Sequence, residues 1–129
     1  MTERGLADTS VFIARETPRP IDLDALPDRL AVSVITIGEL RAGVLAASDT
    51  TVRDRRLDTL TAALSFEPIP IDVEVANAWA RLRLALRDAG LRMPVNDSWI
   101  AATAMALDVP IVTQDHDFAT LAGLHVIRV

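Results

Sequence analysis

Residues 5–14 read GLADTSVFIA. Gly5, Leu6 and Ala7 are the end of an apolar run with strand character, and Val11 to Ala14 begin a second apolar run that suits a short helix. Asp8 lies at the joint. A charge between two buried segments is costly unless it is hydrogen-bonded, paired or bound to a cation. The stretch therefore predicts a strand over residues 3–7, then a strand-to-helix turn capped by Thr9 or Ser10, then a helix to about Arg15. It also raises the question of what Asp8 does there.

Working outward, the same alternation recurs. The segment 16–28 holds three prolines and several acids, and reads as a loop with a brief helical turn around Asp24. LAVSVI (30–35) is a second buried strand. It is followed by a helix over 36–48 with Ile37, Leu40, Val44 and Ala47 at helical spacing. Asp49 or Thr50 starts another helix to about Leu64. Pro68 and Pro70 flank Ile69 and confine that piece to an edge strand. Asp72 caps a long helix carrying Val75, Trp79, Leu82 and Leu86, which Gly90 stops. Asn96 or Asp97 opens the next helix. A strand over 109–112, a helical turn near 115–121 and a last strand, HVIRV, complete the chain. Strands alternating with helices predict an α/β/α sandwich with a mainly parallel central sheet, formed as a single domain over residues 1–129.

Composition narrows the function. Half of the 129 residues are hydrophobic, enough for a real core, and only 4% are aromatic. There is no cysteine, which excludes a disulfide scaffold, a thiolate metal site and a cysteine nucleophile. The opening residues show no signal peptide, and no apolar run approaches the ~20 residues of a membrane span. The expectation is a cytoplasmic protein with no membrane association. The formal net charge is −5, and all 13 basic residues are arginine. A dedicated basic nucleic-acid surface is not what this balance suggests, although arginines can still grip phosphates locally.

The Asp8 pattern repeats along the chain. Glu39 lies one turn into its helix, between Ile37 and Leu40. Asp97 stands at the start of an Ala-rich helix, and Asp115 and Asp117 follow the strand residues IVT in VTQDHDF. In a parallel sheet these junctions share one edge, where ligands bind beyond the carboxyl ends of the strands. Taken singly, each acid has an ordinary reading: Asp8 and Asp97 as helix caps, Asp115 and Asp117 as turn residues, Glu39 as a solvated helix face. Taken together, they would crowd negative charge into one pocket. That raises carboxylate pKa values or demands a cation. An all-oxygen donor set favours Mg²⁺ or Mn²⁺. Setting these five acids aside leaves 13 acids against 13 arginines, which agrees with the idea without testing it.

The segments ADTSVFI (7–13), TIGELRAG (36–43), NDSWIAATA (96–104) and VTQDHDF (112–118), in this order, resemble the PIN-domain ribonucleases, specifically the VapC-type toxins of VapBC toxin–antitoxin modules. The resemblance covers essentially the whole chain. It implies a PIN-like fold and hydrolysis of RNA by a metal-activated water. Asp8 and Asp97 would be the principal metal ligands, with Glu39 and Asp115 completing an acidic quartet. Thr113 and Asp117 match supporting positions, and Thr9 or Ser10 would hold the first carboxylate. Whether Asp115 or Asp117 is the closer fourth acid stays open, with Asp115 favoured because it follows the strand end more directly. The resemblance further implies a VapB-type antitoxin as partner and a toxin homodimer. The alternative is a PIN-like module that binds RNA or protein without cutting.

Other residues carry weaker signals. Arg15, Arg41 and Arg92 are candidates for substrate phosphates only because they lie near the acidic segments. His116 reads as an exposed loop residue and His125 as structural, and Trp79 and Trp99 as core or interface anchors. A receiver domain would share the acidic pocket, but its chemistry employs a lysine and this chain has none. A haloacid-dehalogenase-type phosphatase would want two aspartates in its first segment, where LADTS offers one.

Overall fold

The computed structural model describes residues 3–118, 121 and 123–129. Its strands are β1 (Arg4–Ala7), β2 (Arg29–Val32), β3 (Ile111–Thr113) and β4 (Val126–Arg128). Its α-helices are α1 (Thr9–Ile13), α2 (Val34–Ala46), α3 (Thr50–Leu64), α4 (Val73–Asp88) and α5 (Val95–Leu107). The strands form one sheet in the order β2-β1-β3-β4, and every pair is parallel. Parallel neighbours need crossover connections, and the helices supply them on both faces.

Alternation along the strands sorts the core into two halves. Leu6 and Ile111 point to one face, where Leu82, Leu86, Ile100, Ala101 and Ala104 of α4 and α5 cover them. Ala7, Val32 and Val112 point to the other, against Val11, Phe12, Leu40, Val44 and Leu60 of α1, α2 and α3. This is the expected α/β/α sandwich. Small residues let the layers close: a Cβ on Gly5 would meet Val112 Cγ2 at 2.8 Å and Pro27 Cγ at 2.9 Å. Among the described residues, no helix is long and apolar enough to cross a membrane.

Several boundaries differ from expectation. The second strand ends at Val32 rather than Ile35, because Ser33 caps α2: its Oγ accepts the Ile35 N–H at 3.0 Å. An apolar run such as VSVI suits either element, and the cap decides it. Ile69 forms only an isolated parallel bridge to Ser33, as an edge position flanked by prolines should. Asp49 and Asp72 cap α3 and α4 as expected. Gly90, at φ +68°, follows α4, and the Gly90 and Leu91 N–H groups bond back to the Arg87 and Leu86 carbonyls.

Helix α5 starts at Val95, with Pro94 as its cap and no side-chain cap bond, so neither Asn96 nor Asp97 opens it. The proline's fixed φ sets the entry, and Asp97 is left one turn inside with its carboxylate free of capping. The third strand runs one residue further than expected, to Thr113. Residues 115–118 hold no helical turn, with bends at His116 and Phe118; Ala119 and Thr120 of that expected turn lie outside the described residues.

Candidate active site

The strand order reverses between β1 and β3: the chain leaves β1 toward β2 on one side and returns to β3 on the other. Crevices at such switch points are where parallel sheets bind ligands. Asp8 follows β1 and Thr113 ends β3, so both stand at this crevice.

Asp8 is only 2% exposed, and both its oxygens are held. Oδ1 accepts the Ser10 N–H at 3.1 Å and the Ser10 hydroxyl at 2.6 Å. Oδ2 accepts the Thr113 hydroxyl at 2.9 Å. The two hydroxyls are anchored in turn, since Ser10 Oγ accepts the Gln114 N–H and Thr113 Oγ1 accepts the Asp115 N–H, each at 2.9 Å. Asp8 is itself the cap of α1, a role expected of Thr9 or Ser10. Its extended backbone lets one carboxylate oxygen reach the Ser10 N–H while the other faces β3. Capping and site are therefore one arrangement.

Thr9 serves a different acid. Its hydroxyl donates to Glu39 Oε1 at 2.6 Å, and with that proton committed it accepts from Thr36 Oγ1 at 3.0 Å. Asn96 Nδ2 reaches Glu39 Oε2 at 3.4 Å. Of the two hydroxyls expected to hold the first carboxylate, only Ser10 does so. Adjacent helical positions diverge by about 100°, which sends Ser10 to Asp8 and Thr9 to Glu39.

Asp8, Glu39, Asp97 and Asp115 line one cleft of about 250 Å³. The Asp8 carboxyl is pushed up to about 6. Burial is the main cause, opposed by the hydrogen bonds from Ser10 and Thr113 and reinforced by the Asp115 charge. Asp97, half-buried, is also raised to about 6, by burial first and then by the charges of Asp8, Glu39, Asp117 and Asp115. Both late aspartates thus belong to the constellation: Asp115 lines the cleft and acts on Asp8, and Asp117 adds to the field on Asp97.

Such a cluster of carboxylates fits a hard cation. Among the described residues, no three of these groups close into a ready-made cage. An all-oxygen donor set suits a hard cation such as Mg²⁺, which keeps several waters and takes one or two carboxylates. Asp8 and Asp97 could hold such an ion, with Glu39 and Asp115 lining the same cleft.

One cation lines the same cleft, and sequence reading missed it. Arg19 sits between Pro18 and Pro20, and its Nη2 lies 3.5 Å from the Gln114 carbonyl oxygen. Gln114 also donates to the Pro20 carbonyl at 3.0 Å and so ties the loop to the end of β3. Arg15 and Arg41 are exposed outside the cleft, and Arg92 lines another one. Asn96 and Thr36 were also missed, although both sit in the segments that carry Asp97 and Glu39. His116 and His125 are exposed, the latter just before β4. Trp79 and Trp99 stack at 4.4 Å, and Trp79 Nε1 donates to Ser98 Oγ at 3.0 Å.

Comparison with known proteins agrees with this geometry. The PIN domain family model matches residues 6–124. The chain is 48% identical to ribonuclease VapC5 of Mycobacterium tuberculosis, over 97% of this chain and 95% of that one. It is 52% identical to ribonuclease VapC4 of the same organism, over 98% and 97%. Among solved structures, the VapBC-5 toxin–antitoxin system of M. tuberculosis matches with a TM-score of 0.90 at 44% identity, covering 98% of both chains. FitAcB of Neisseria gonorrhoeae matches with a TM-score of 0.79 at 27% identity, covering 95% of both. By its fold, its acidic cleft and these relatives, the chain belongs to the PIN-domain family, among the VapC proteins.

Proposed function

We propose that this chain is a Mg²⁺-dependent endoribonuclease, with Mn²⁺ as an alternative ion, and the toxin of a pair whose antitoxin is VapB-like. The observation that carries the reading is the meeting of Asp8, Glu39, Asp97 and Asp115 in one cleft at the sheet's switch point. The ribonuclease names of its relatives and the toxin–antitoxin neighbours support it. A homodimer is part of the same proposal.

The reaction is attack of water on an RNA phosphodiester, with one P–O bond formed and one broken to leave a phosphomonoester and a hydroxyl end. When bound, the ion lowers the pKa of its water and offsets charge on the phosphate. Asp8 and Asp97 would hold it. Asp8 is fixed in place by the Ser10 and Thr113 hydroxyls. Glu39 takes the proton of the attacking water at Oε2, the oxygen left freer by the short bond from Thr9 to Oε1. Arg19 meets a phosphate oxygen from the cleft wall.

The test is cleavage of a labelled single-stranded RNA by the purified chain with Mg²⁺, with Mn²⁺ and with EDTA, beside Asp8→Asn and Asp97→Asn. Cleavage that needs the ion and is lost in both variants is expected. Undiminished cleavage in EDTA, or in both variants, overturns the proposal. Growth arrest on expression, relieved by a co-expressed VapB-type partner, is the corresponding result for the toxin role.

A further inference from the structure

A second cleft, of about 310 Å³, lies at the far end of α4, lined by Arg83, Leu86, Arg87, Leu91, Arg92 and Met93. Trp79, Arg83 and Arg87 are spaced four apart and form one stripe of the helix. Arg92 joins them after the turn at Gly90. Three guanidinium groups around one hollow is an unusual arrangement in a chain of net charge −5.

The ordinary explanations do not use these arginines. Charged side chains often cap a helix C-terminus, but here the Gly90 and Leu91 N–H groups already serve the last carbonyls. Among the described residues, none of the three guanidiniums donates an intramolecular hydrogen bond. Their one ion pair is the exposed Arg87–Asp88 contact at 3.7 Å, a type of pair that contributes little. Arg83 instead lies over the Trp79 ring at 5.3 Å, and that ring is held by Trp99 and Ser98. One arm of the cleft is therefore pre-oriented, with its donors free.

The location links this cleft to the acidic one. Arg92 precedes Asp97 by five residues, so their Cα atoms lie within about 17 Å of each other. An RNA strand crossing the acidic cleft would be repelled by it and must be gripped elsewhere along its backbone. We propose that the cleft of Arg83, Arg87 and Arg92 binds the phosphate backbone of single-stranded RNA beyond the cleaved linkage. This rests on the ribonuclease reading. Arginine forks match phosphate oxygens in pairs, and the hollow is large enough for more than one phosphate. Contacts of this kind carry affinity without sequence preference.

The experiment measures RNA affinity against salt. The full chain carrying Asp97→Asn, to prevent cutting, is titrated against a fluorescein-labelled single-stranded RNA 12-mer at several salt concentrations. Adding R83A, R87A and R92A is expected to weaken binding and reduce the slope of log affinity against log salt by about 2, for three phosphates on a single strand. The control R4A/R55A/R81A removes equal charge elsewhere and should change the slope far less. The variant R83K/R87K/R92K keeps the charges and should retain most of the slope, which guards against misfolding of the alanine variant. An unchanged slope in the alanine variant, an equal loss in the control, or displacement of the RNA by a polyglutamate peptide at matched charge overturns the proposal. Cleavage by the unmodified chain is assayed separately. RNA bound through this cleft but never cut would remove the nuclease reading and leave this one standing.

Discussion

Thr113 and Asp8 are 105 positions apart in sequence and joined by a 2.9 Å hydrogen bond, in which the Thr113 hydroxyl donates to Asp8 Oδ2. The same oxygen of Thr113 accepts the Asp115 N–H at 2.9 Å. One hydroxyl therefore ties the end of β1 to the end of β3 and starts the turn that carries Asp115. Replacing it with a methyl group of the same shape, Thr113→Val, leaves two polar partners unsatisfied. The expected cost is about 1–3 kcal/mol, read as a lower thermal midpoint. Asp8 also loses a bond that lowers its pKa, so its carboxyl rises further and cleavage slows by about tenfold or more at neutral pH. Thr113→Ser keeps the hydroxyl and should keep most of the rate. Equal rates for Val and Ser would show that the bond is not used.

The raised carboxyls predict a trade between stability and function. Asp8 and Asp97 titrate near 6 in the folded chain against 3.8 as the ordinary value. Between those limits the folded chain holds more protons than the unfolded one, so stability falls as pH rises through the window, and the penalty is complete above about 6. In EDTA the thermal midpoint should therefore be higher at pH 5 than at pH 7.5. Asp97→Asn removes one of these charges without changing shape. At pH 7.5 in EDTA it should stabilise the chain by about 1 kcal/mol, a figure reduced for the partial exposure of Asp97. Calorimetry at both pH values checks this, and a flat profile in both proteins would refute it.

The acidic positions were legible because a parallel sheet brings the carboxyl ends of all its strands to one edge: Asp8 and Asp115 follow strand ends, and Asp97 starts the helix that runs back before β3, so its N-terminus lies at the same edge. The division of labour between Thr9 and Ser10 was not legible, since it depends on a rotation of about 100° between neighbours and on where α2 lies. Which of Asp115 and Asp117 bears on which acid was not legible either: the Asp115 charge acts on both Asp8 and Asp97, and the Asp117 charge on Asp97, a division set by the path of the chain after β3. Arg19 carried no local signal. Its place is set by Gln114, 95 residues later, which no short-range pattern reveals. The strand end at Val32 was misjudged because Ser33 interrupts an apolar run that either element would accept.

Arg19 is expected to act on bound RNA rather than on the fold, because its side chain is exposed and lies at the cleft wall. Arg19→Ala should lower kcat/KM by about tenfold, in line with the loss of one charge-assisted phosphate contact. Arg19→Lys should restore part of it, since lysine keeps the charge and loses the fork. Arg15→Ala and Arg41→Ala, outside the cleft, should change kcat/KM little. Steady-state cleavage of one RNA by all four variants separates these outcomes. A loss shared equally by Arg15→Ala and Arg41→Ala would indicate general charge attraction instead.

Ion binding can be read without any substrate. A ligand that binds only the folded chain raises its stability by about 2.7 kcal/mol at a hundred times its Kd. Mg²⁺ added at pH 7.5 should therefore raise the thermal midpoint of the unmodified chain, partly by offsetting the carboxylate repulsion described above. At pH 5 most Asp8 and Asp97 carboxyls are protonated, and the ion must displace those protons, so the increment should shrink. Asp8→Asn should abolish it while preserving the helix start, since asparagine caps as well as aspartate. Asp97→Asn should abolish it as well, although that variant begins from a higher midpoint in EDTA. Asp97→Asn thus raises baseline stability while losing the ion response, a pattern that a purely structural acid would not produce. An equal Mg²⁺ increment in the unmodified chain and both variants would place the ion elsewhere on the molecule.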